Sequence, residues 1–286
     1  MNITVTGATG FIGRYLVKSL AGDGHSVRAL SRAAWNIFAG EPPAESLRGA
    51  DAVVHLAGAP VAQRWTRRAR EEIRNGRVKG THHLVTALST LPQRPEVLVC
   101  ASAIGIYGER GDEVLTEASP VASGFLADVC RDWEREAELA ESLGMRVVKL
   151  RIGIALGRKG GALEKMLPPF RAFVGGKLGP GSQWMSWIHI ADIVGLIRYA
   201  LDHPVSGVVN ATAPNPVRNS EFARELGSAL HRPAIFPVPA VALRALLGQM
   251  ADVLLASQRV LPKAAETAGY RFTFPELGPA LRDLSR

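Results

Sequence analysis

Cysteine is scarce. Cys100 and Cys130 are the only two in 286 residues, and no Cys-x-x-Cys occurs. That excludes a disulfide framework and leaves no metal-ligand spacing, so no metal is expected and a reduced, cytoplasmic chain is. Long apolar runs are missing too. The most apolar late stretch, residues 240–256, is interrupted by Arg244, Gln249 and Asp252. Leu243, Leu246, Leu247, Met250, Val253 and Leu254 recur there at helical spacing, which predicts one packed amphipathic helix and no membrane span. The chain opens directly on a strand pattern, leaving no room for a signal peptide. Acid is in deficit: 26 Asp and Glu stand against 34 Lys and Arg, a net charge of +8. A basic surplus suits anionic small-molecule ligands. It is scattered, with one local excess from Arg64 to Lys79 and no basic motif interleaved with aromatics, so nucleic acid is not an expected partner. A monomer or homodimer is expected.

The start of the chain is where the pattern is dense. Asn2-Ile3-Thr4-Val5-Thr6 reads as a short strand, Gly7-Ala8-Thr9-Gly10 as a turn, and Phe11-Ile12-Gly13 as the opening of an apolar helix. Glycines at i, i+3 and i+6 between a strand and a helix form a cradle for a dinucleotide pyrophosphate. Gly7 permits the sharp exit, Gly10 lets backbone approach phosphate, and Gly13 allows close helix packing. Gly7, Thr9, Gly10, Phe11, Ile12 and Gly13 are therefore candidate cofactor-binding residues.

Strand and helix patterns alternate through the first two-thirds. Strands are expected at Ser26–Leu30, Asp51–Leu56, Glu96–Ser102 and Met145–Ile152, with helices at Arg67–Leu91 and Phe125–Leu143. This predicts an α/β fold with a doubly wound parallel sheet. Residues 33–49 hold a proline pair and no convincing helix, so that edge is expected to be abbreviated. After Gly157 glycine and proline cluster, then Ile188–Leu201 reads as a helix and Gly207–Ala211 as one more strand. The expected division is a nucleotide-binding domain of residues 1–156 plus about 186–213, and a small, mostly helical C-terminal lobe of about 157–185 and 214–286.

The second strand ends Ala29-Leu30-Ser31-Arg32, with no acid to take ribose hydroxyls. A hydroxyl and a guanidinium there suit a 2′-phosphate, which predicts NADP(H) over NAD. A solvated surface arginine is the plain alternative. Leu56-Ala57-Gly58 lets the adenosine half lie on backbone. Glu72 and Arg77, on the helix that follows, can add a ribose or phosphate contact or be an ordinary helical charge pair.

At these residues the chain resembles the short-chain dehydrogenase/reductase superfamily in its extended, epimerase-like branch. The motifs are Thr6-Gly7-Ala8-Thr9-Gly10-Phe11-Ile12-Gly13, Asp51-Ala52-Val53-Val54-His55-Leu56-Ala57-Gly58, Ala101-Ser102-Ala103-Ile104-Gly105-Ile106-Tyr107-Gly108 and Leu150-Arg151-Ile152-Gly153. A closer likeness, to the "epimerase family" group with its own C-terminal domain, lies in Gln183-Trp184-Met185-Ser186-Trp187-Ile188-His189, Pro168-Pro169-Phe170 and Asn210 through Arg218. The resemblance covers essentially the whole chain and implies a Rossmann fold, NADP binding and a contact from Ile154 to the cofactor. It also implies a Tyr and, four residues on, a Lys. The four tyrosines, Tyr15, Tyr107, Tyr199 and Tyr270, are none of them followed by Lys at that distance, and the expected positions hold Leu126 and Cys130.

Ser102, near the position that polarises a substrate oxygen, and Tyr107, at a strand exit, are the candidate catalytic residues. Ser102 can equally bond local backbone, and Tyr107 can shape the pocket. Gln183, Trp187 and His189 are candidate substrate-pocket residues, with lobe packing as the alternative, most of all for His189. Two functions stay open: an NADP(H)-dependent oxidoreductase on a small polar or anionic metabolite without the Tyr-x-x-x-Lys pair, or a non-catalytic NADPH/NADP⁺ redox sensor. Nucleotide-sugar epimerisation or dehydration is a weaker third.

Overall fold

Aliphatic runs such as Val97–Val99 and Val53–Val54 are buried throughout, as strands covered by helices on both faces require. The computed structural model describes residues 1–285. Six strands make one parallel sheet: β1 (Asn2–Thr6), β2 (Ser26–Leu30), β3 (Ala52–His55), β4 (Val97–Ala103), β5 (Arg146–Ile152) and β6 (Gly207–Ala211). Their order is β2-β1-β3-β4-β5-β6. The chain leaves β1 for one side and returns on the other, so the winding switches direction between β1 and β3. In such sheets the crevice beyond the carboxyl ends at that point is the ligand site. Residues 33–49 add only the one-turn helix Ala44–Leu47, and β2 is the sheet edge, as the sequence predicts.

Side-chain alternation sorts the two faces. Ile3 and Val5 point to the helices Phe11–Gly22 and Ile190–Asp202, which bury Leu16, Leu20, Ile193 and Ile197 there. On the other face Val53, Leu98 and Val147 meet Leu84, Leu88 and Trp133 of the helices Arg67–Ser89 and Phe125–Glu138.

A separate core of Leu163, Phe170, Trp187, Phe222 and Leu281 joins the helices Gly161–Arg171, Asn219–Leu230 and Leu277–Ser285. It is tied to the sheet domain by two devices. The strand Trp187–His189 pairs with Ile154–Leu156 just beyond β5. The buried Asp192 carboxylate accepts from the backbone N–H groups of Thr273 (2.7 Å) and Phe274 (3.0 Å).

One expected element is different. Residues 240–256 are not one helix but two, Ala240–Leu247 and Met250–Leu255. Gly248 breaks them apart with a φ of 60°, a conformation glycine takes without strain. Leu243 and Met250 are buried while Val241 and Leu246 face solvent, so the two short helices do not share one apolar stripe. Among the described residues no helix is long and apolar enough to cross a membrane.

His55 ends β3 directly below the crevice. Its ring is buried between the hydroxyls of Thr6 (Nδ1, 2.7 Å) and Thr81 (Nε2, 3.1 Å). Burial lowers its pKa to about 4, so it folds neutral. The unfolded chain therefore binds a proton that the folded chain refuses between pH 6.5 and about 4, and stability falls as pH falls through that window. The expected loss is up to about 3 kcal/mol. Urea denaturation at stepped pH, wild type against His55→Gln, checks it: the substitution should flatten the slope between pH 6.5 and 4.

Candidate functional site

At the end of β1 the chain must turn without a side chain. Gly7 has φ 66°, and a Cβ there would sit 2.7 Å from Ala57 N and from Leu56 C at the end of β3. Gly10 follows as the residue before the first helix, which has no side-chain cap and no acid in its first turn. Those first-turn amides and the positive end of the helix are left for an anionic ligand. Gly13 packs against Gly7 O and Ala8, so its role is to seat the helix on the turn itself.

This turn floors a groove of about 210 Å³. Gly7, Thr9, Gly10, Ser31, Arg32, Leu56, Ala57, Gly58 and Glu72 all line it. Phe11, Ile12 and Gly13 lie past its floor, in the first helical turn. The Phe11 ring sits in a slot that side chains at Gly157, Gly160 and Gly161 would fill. Arg32 is exposed, 5.9 Å from the Phe38 ring, and has no carboxylate partner among the described residues. Glu72 is paired with Arg68 at 2.9 Å. The donor set therefore suits a dinucleotide bearing a 2′-phosphate: free amides at one end, Ser31 and an unpaired guanidinium at the other.

Next to the groove lies a cleft of about 310 Å³; Leu56–Pro60 line the groove and Val61, the next residue, lines the cleft. Its wall is largely apolar, with Ala103, Leu126, Val129, Ile154, Met166 and Leu254 among its residues. Leu126 and Cys130, one turn apart on the helix Phe125–Glu138, both face it. The expected tyrosine and lysine positions thus do converge on this cleft, without the groups. Burial pushes the Cys130 thiol up to about 12, which keeps it protonated.

The two candidate catalytic residues do not reach the cleft. At the exit of β4 the alternation of the strand turns Ala103 to the cleft and Ser102 away from it. The Ser102 hydroxyl donates to Glu134 Oε1 at 2.6 Å. Glu134 also takes a two-pronged bond from Arg151, at 2.8 Å on each oxygen. Arg151 Nη1 donates to the Tyr107 hydroxyl at 2.9 Å, and that hydroxyl donates to Asn210 Oδ1 at 2.8 Å. Tyr107 is 0% exposed, because the tight turn Ile104–Tyr107 carries it back over β5 and β6. Burial also raises its pKa. Ser102 and Tyr107 are links in a buried chain that bolts the helix Phe125–Glu138 to β4, β5 and β6.

The three pocket candidates are corrected likewise. Gln183 is buried behind the wall and braces it, its amide donating to Leu178 O (3.0 Å) and Leu254 O (3.4 Å). Trp187 belongs to the second core, its indole donating to Asn215 O at 3.1 Å. Their neighbours Trp184, Met185 and Ser186 are the residues that line the cleft. His189 caps the helix Ile190–Asp202, its Nδ1 accepting from Ala191 N, and stacks on Phe274 at 3.9 Å. It borders a separate groove with Tyr15, Arg158 and Arg198. Ile154 lines the cleft, as does Arg77.

Residues 3–212 match the NAD dependent epimerase/dehydratase family, and residues 238–284 match a domain of unknown function, DUF1731. The chain is 45% identical over 299 residues to the chloroplastic SDR39U1 homolog of Arabidopsis thaliana, covering 99% of this chain and 86% of that protein. It is 38% identical to the epimerase family protein YfhF of Bacillus subtilis, covering 99% and 98%. The crystal structure of human epimerase family protein SDR39U1 (isoform 2) with NADPH superposes with a TM-score of 0.92 at 34% identity, covering 100% and 99%.

The buried chain makes a stability prediction. Tyr107→Phe and Ser102→Ala should each lower the unfolding free energy by about 1–2 kcal/mol, since each leaves buried partners unpaired. Both should leave NADPH affinity unchanged, measured by fluorescence titration. A variant that loses NADPH binding at full stability would put its residue back in the ligand site.

Proposed function

The chain belongs to the NAD dependent epimerase/dehydratase family, and on that premise we propose that it binds NADP(H) and is an oxidoreductase acting on a small molecule in the adjoining cleft. One observation carries the reading: a glycine-floored groove bearing an unpaired Arg32 lies beside a largely apolar cleft, the groove lined by Leu56–Pro60 and the cleft by the next residue, Val61. Ser31 and Arg32 take the 2′-phosphate, and the free amides after Gly10 take the pyrophosphate. The bound cofactor supplies hydride, and the protein's part is to hold it, shape the cleft and exclude water. Apolar walls from Leu126, Val129, Met166 and Leu254 perform that exclusion. Among the described residues no side chain on the wall is an ordinary acid, so the lining itself supplies no proton donor.

A second reading is favoured by the same floor. Ala103, Leu126 and Cys130 offer no proton donor, which suits a sensor of NADPH/NADP⁺ that does not turn over. The sensor predicts tight binding and no NADPH consumption across a broad set of small carbonyl compounds; the oxidoreductase predicts consumption with some of them. Sugar-nucleotide chemistry is disfavoured, because the cleft wall carries a single cation and few free donors for hydroxyls.

Arg32→Asp tests the cofactor assignment. It should weaken NADPH by about tenfold or more and change NADH little, because it removes one charge-assisted bond and adds repulsion to the 2′-phosphate alone. Equal weakening of both nucleotides would sink the assignment.

A further inference from the structure

Among the described residues Arg77 is the one charged side chain on the cleft wall. Its Nη1 donates to the carbonyls of Ala59 (2.9 Å) and Ile73 (3.2 Å). Nε and Nη2 donate to no protein atom among the described residues, and no carboxylate pairs with the guanidinium. The group lies 5.2 Å from the Trp133 ring, over its face, and shares the cleft wall with Cys130. Loss of water works against its charge. The neighbouring thiol, held protonated by burial, is no counter-ion. A desolvated cation left unpaired is costly, and the cost is recovered when an anion arrives.

The other polar groups on the wall are already engaged. The Ser186 hydroxyl donates to Gln258 O (2.7 Å), and the Gln258 amide donates to Ile104 O (3.0 Å) and Gly108 O (2.9 Å). The Trp184 indole donates to Asp112 (2.8 Å), and the Asn219 amide spans Leu178 N (2.7 Å) and Met185 Sδ (3.1 Å). What remains is a largely apolar cleft with one guanidinium on its wall, at a point where it also lies against Gly58 of the neighbouring groove.

We infer that the cleft takes a compact, mainly apolar molecule bearing a single carboxylate, and that Arg77 binds that carboxylate. The Nε–Nη2 edge is the planar fork that matches two carboxylate oxygens. A phosphate ester brings up to two charges against one cation, and a sugar brings hydroxyls that the engaged wall groups leave unpaired. This narrows the small polar or anionic metabolite expected from the sequence to an anion on an apolar body. It rests on reading this cleft as the substrate end of the cofactor site.

The test is calorimetric titration of trans-cinnamate and of cinnamyl alcohol, its uncharged counterpart, into the full chain with and without NADPH. The expected result is that wild type prefers the acid by about tenfold or more. Arg77→Met should erase that preference and Arg77→Lys should retain part of it. No preference in wild type, which needs no variant to fold, overturns the inference. So does an Arg77→Met protein that keeps the preference while losing NADPH, since Arg77 then serves the cofactor. A wild type that prefers the acid yet binds no NADPH sustains the carboxylate site and rejects the cofactor reading, so the two fail separately.

Discussion

The ligand-facing edge of the sheet depends on how closely the backbone of residues 7–13 packs on itself and on β3. Gly7 lies so near Leu56 and Ala57 that a single methyl group would push the two strand ends apart. Gly13 lies against the carbonyl of Gly7, which brings the first helix in end-on to the turn. Those two contacts set the direction of the helix amides and the width of the groove between β1 and β3. His55, wedged between Thr6 and Thr81, locks the strand end and the helix Arg67–Ser89 to the same point. That helix in turn carries Arg77 into the cleft, so the groove and the cleft share one mechanical reference.

A second constraint is the buried chain from Ser102 through Glu134, Arg151 and Tyr107 to Asn210. Its groups satisfy one another, so it contributes position more than net stability. It fixes the helix Phe125–Glu138 so that Leu126 and Cys130 face the cleft. Cys130 and the Arg77 guanidinium, from the neighbouring helix, line the same cleft. A cation is thus present near the position where the family resemblance implies a lysine, delivered from a different element and without a tyrosine to act on.

The strands, the glycine turn, the short edge after β2 and the Ser31–Arg32 pair were legible because each has a local signature: apolar runs, fixed glycine spacing, a missing acid. What was not legible depends on single-residue phase. In a strand a shift of one position moves a side chain to the opposite face, so Ser102 and Ala103 exchange roles; Trp187 turns into the second core while Trp184, Met185 and Ser186 before it line the cleft. Tyr107 follows a strand and so reads as within reach of the pocket at its exit; the tight turn that buries it has no spacing signal. Arg77 reads in the sequence as a cofactor contact or an ordinary helical charge, and nothing in its basic run, where Arg67 and Arg68 are solvated and paired with Glu71 and Glu72, marks it as a cleft residue. Only the packing of that helix separates the unpaired cation from the paired ones. The break at Gly248 is a similar case, since the apolar spacing on either side continues across it.

The central claim is that the groove and the cleft are two ends of one NADP(H) site. A crystal structure of the NADPH complex tests it most directly. The account predicts the 2′-phosphate within hydrogen-bond reach of Ser31 and Arg32, the pyrophosphate at the amides after Gly10, and the nicotinamide opening on the cleft walled by Ala103, Leu126 and Cys130. A 2′-phosphate directed to solvent away from Arg32, or a nicotinamide outside that cleft, would contradict it.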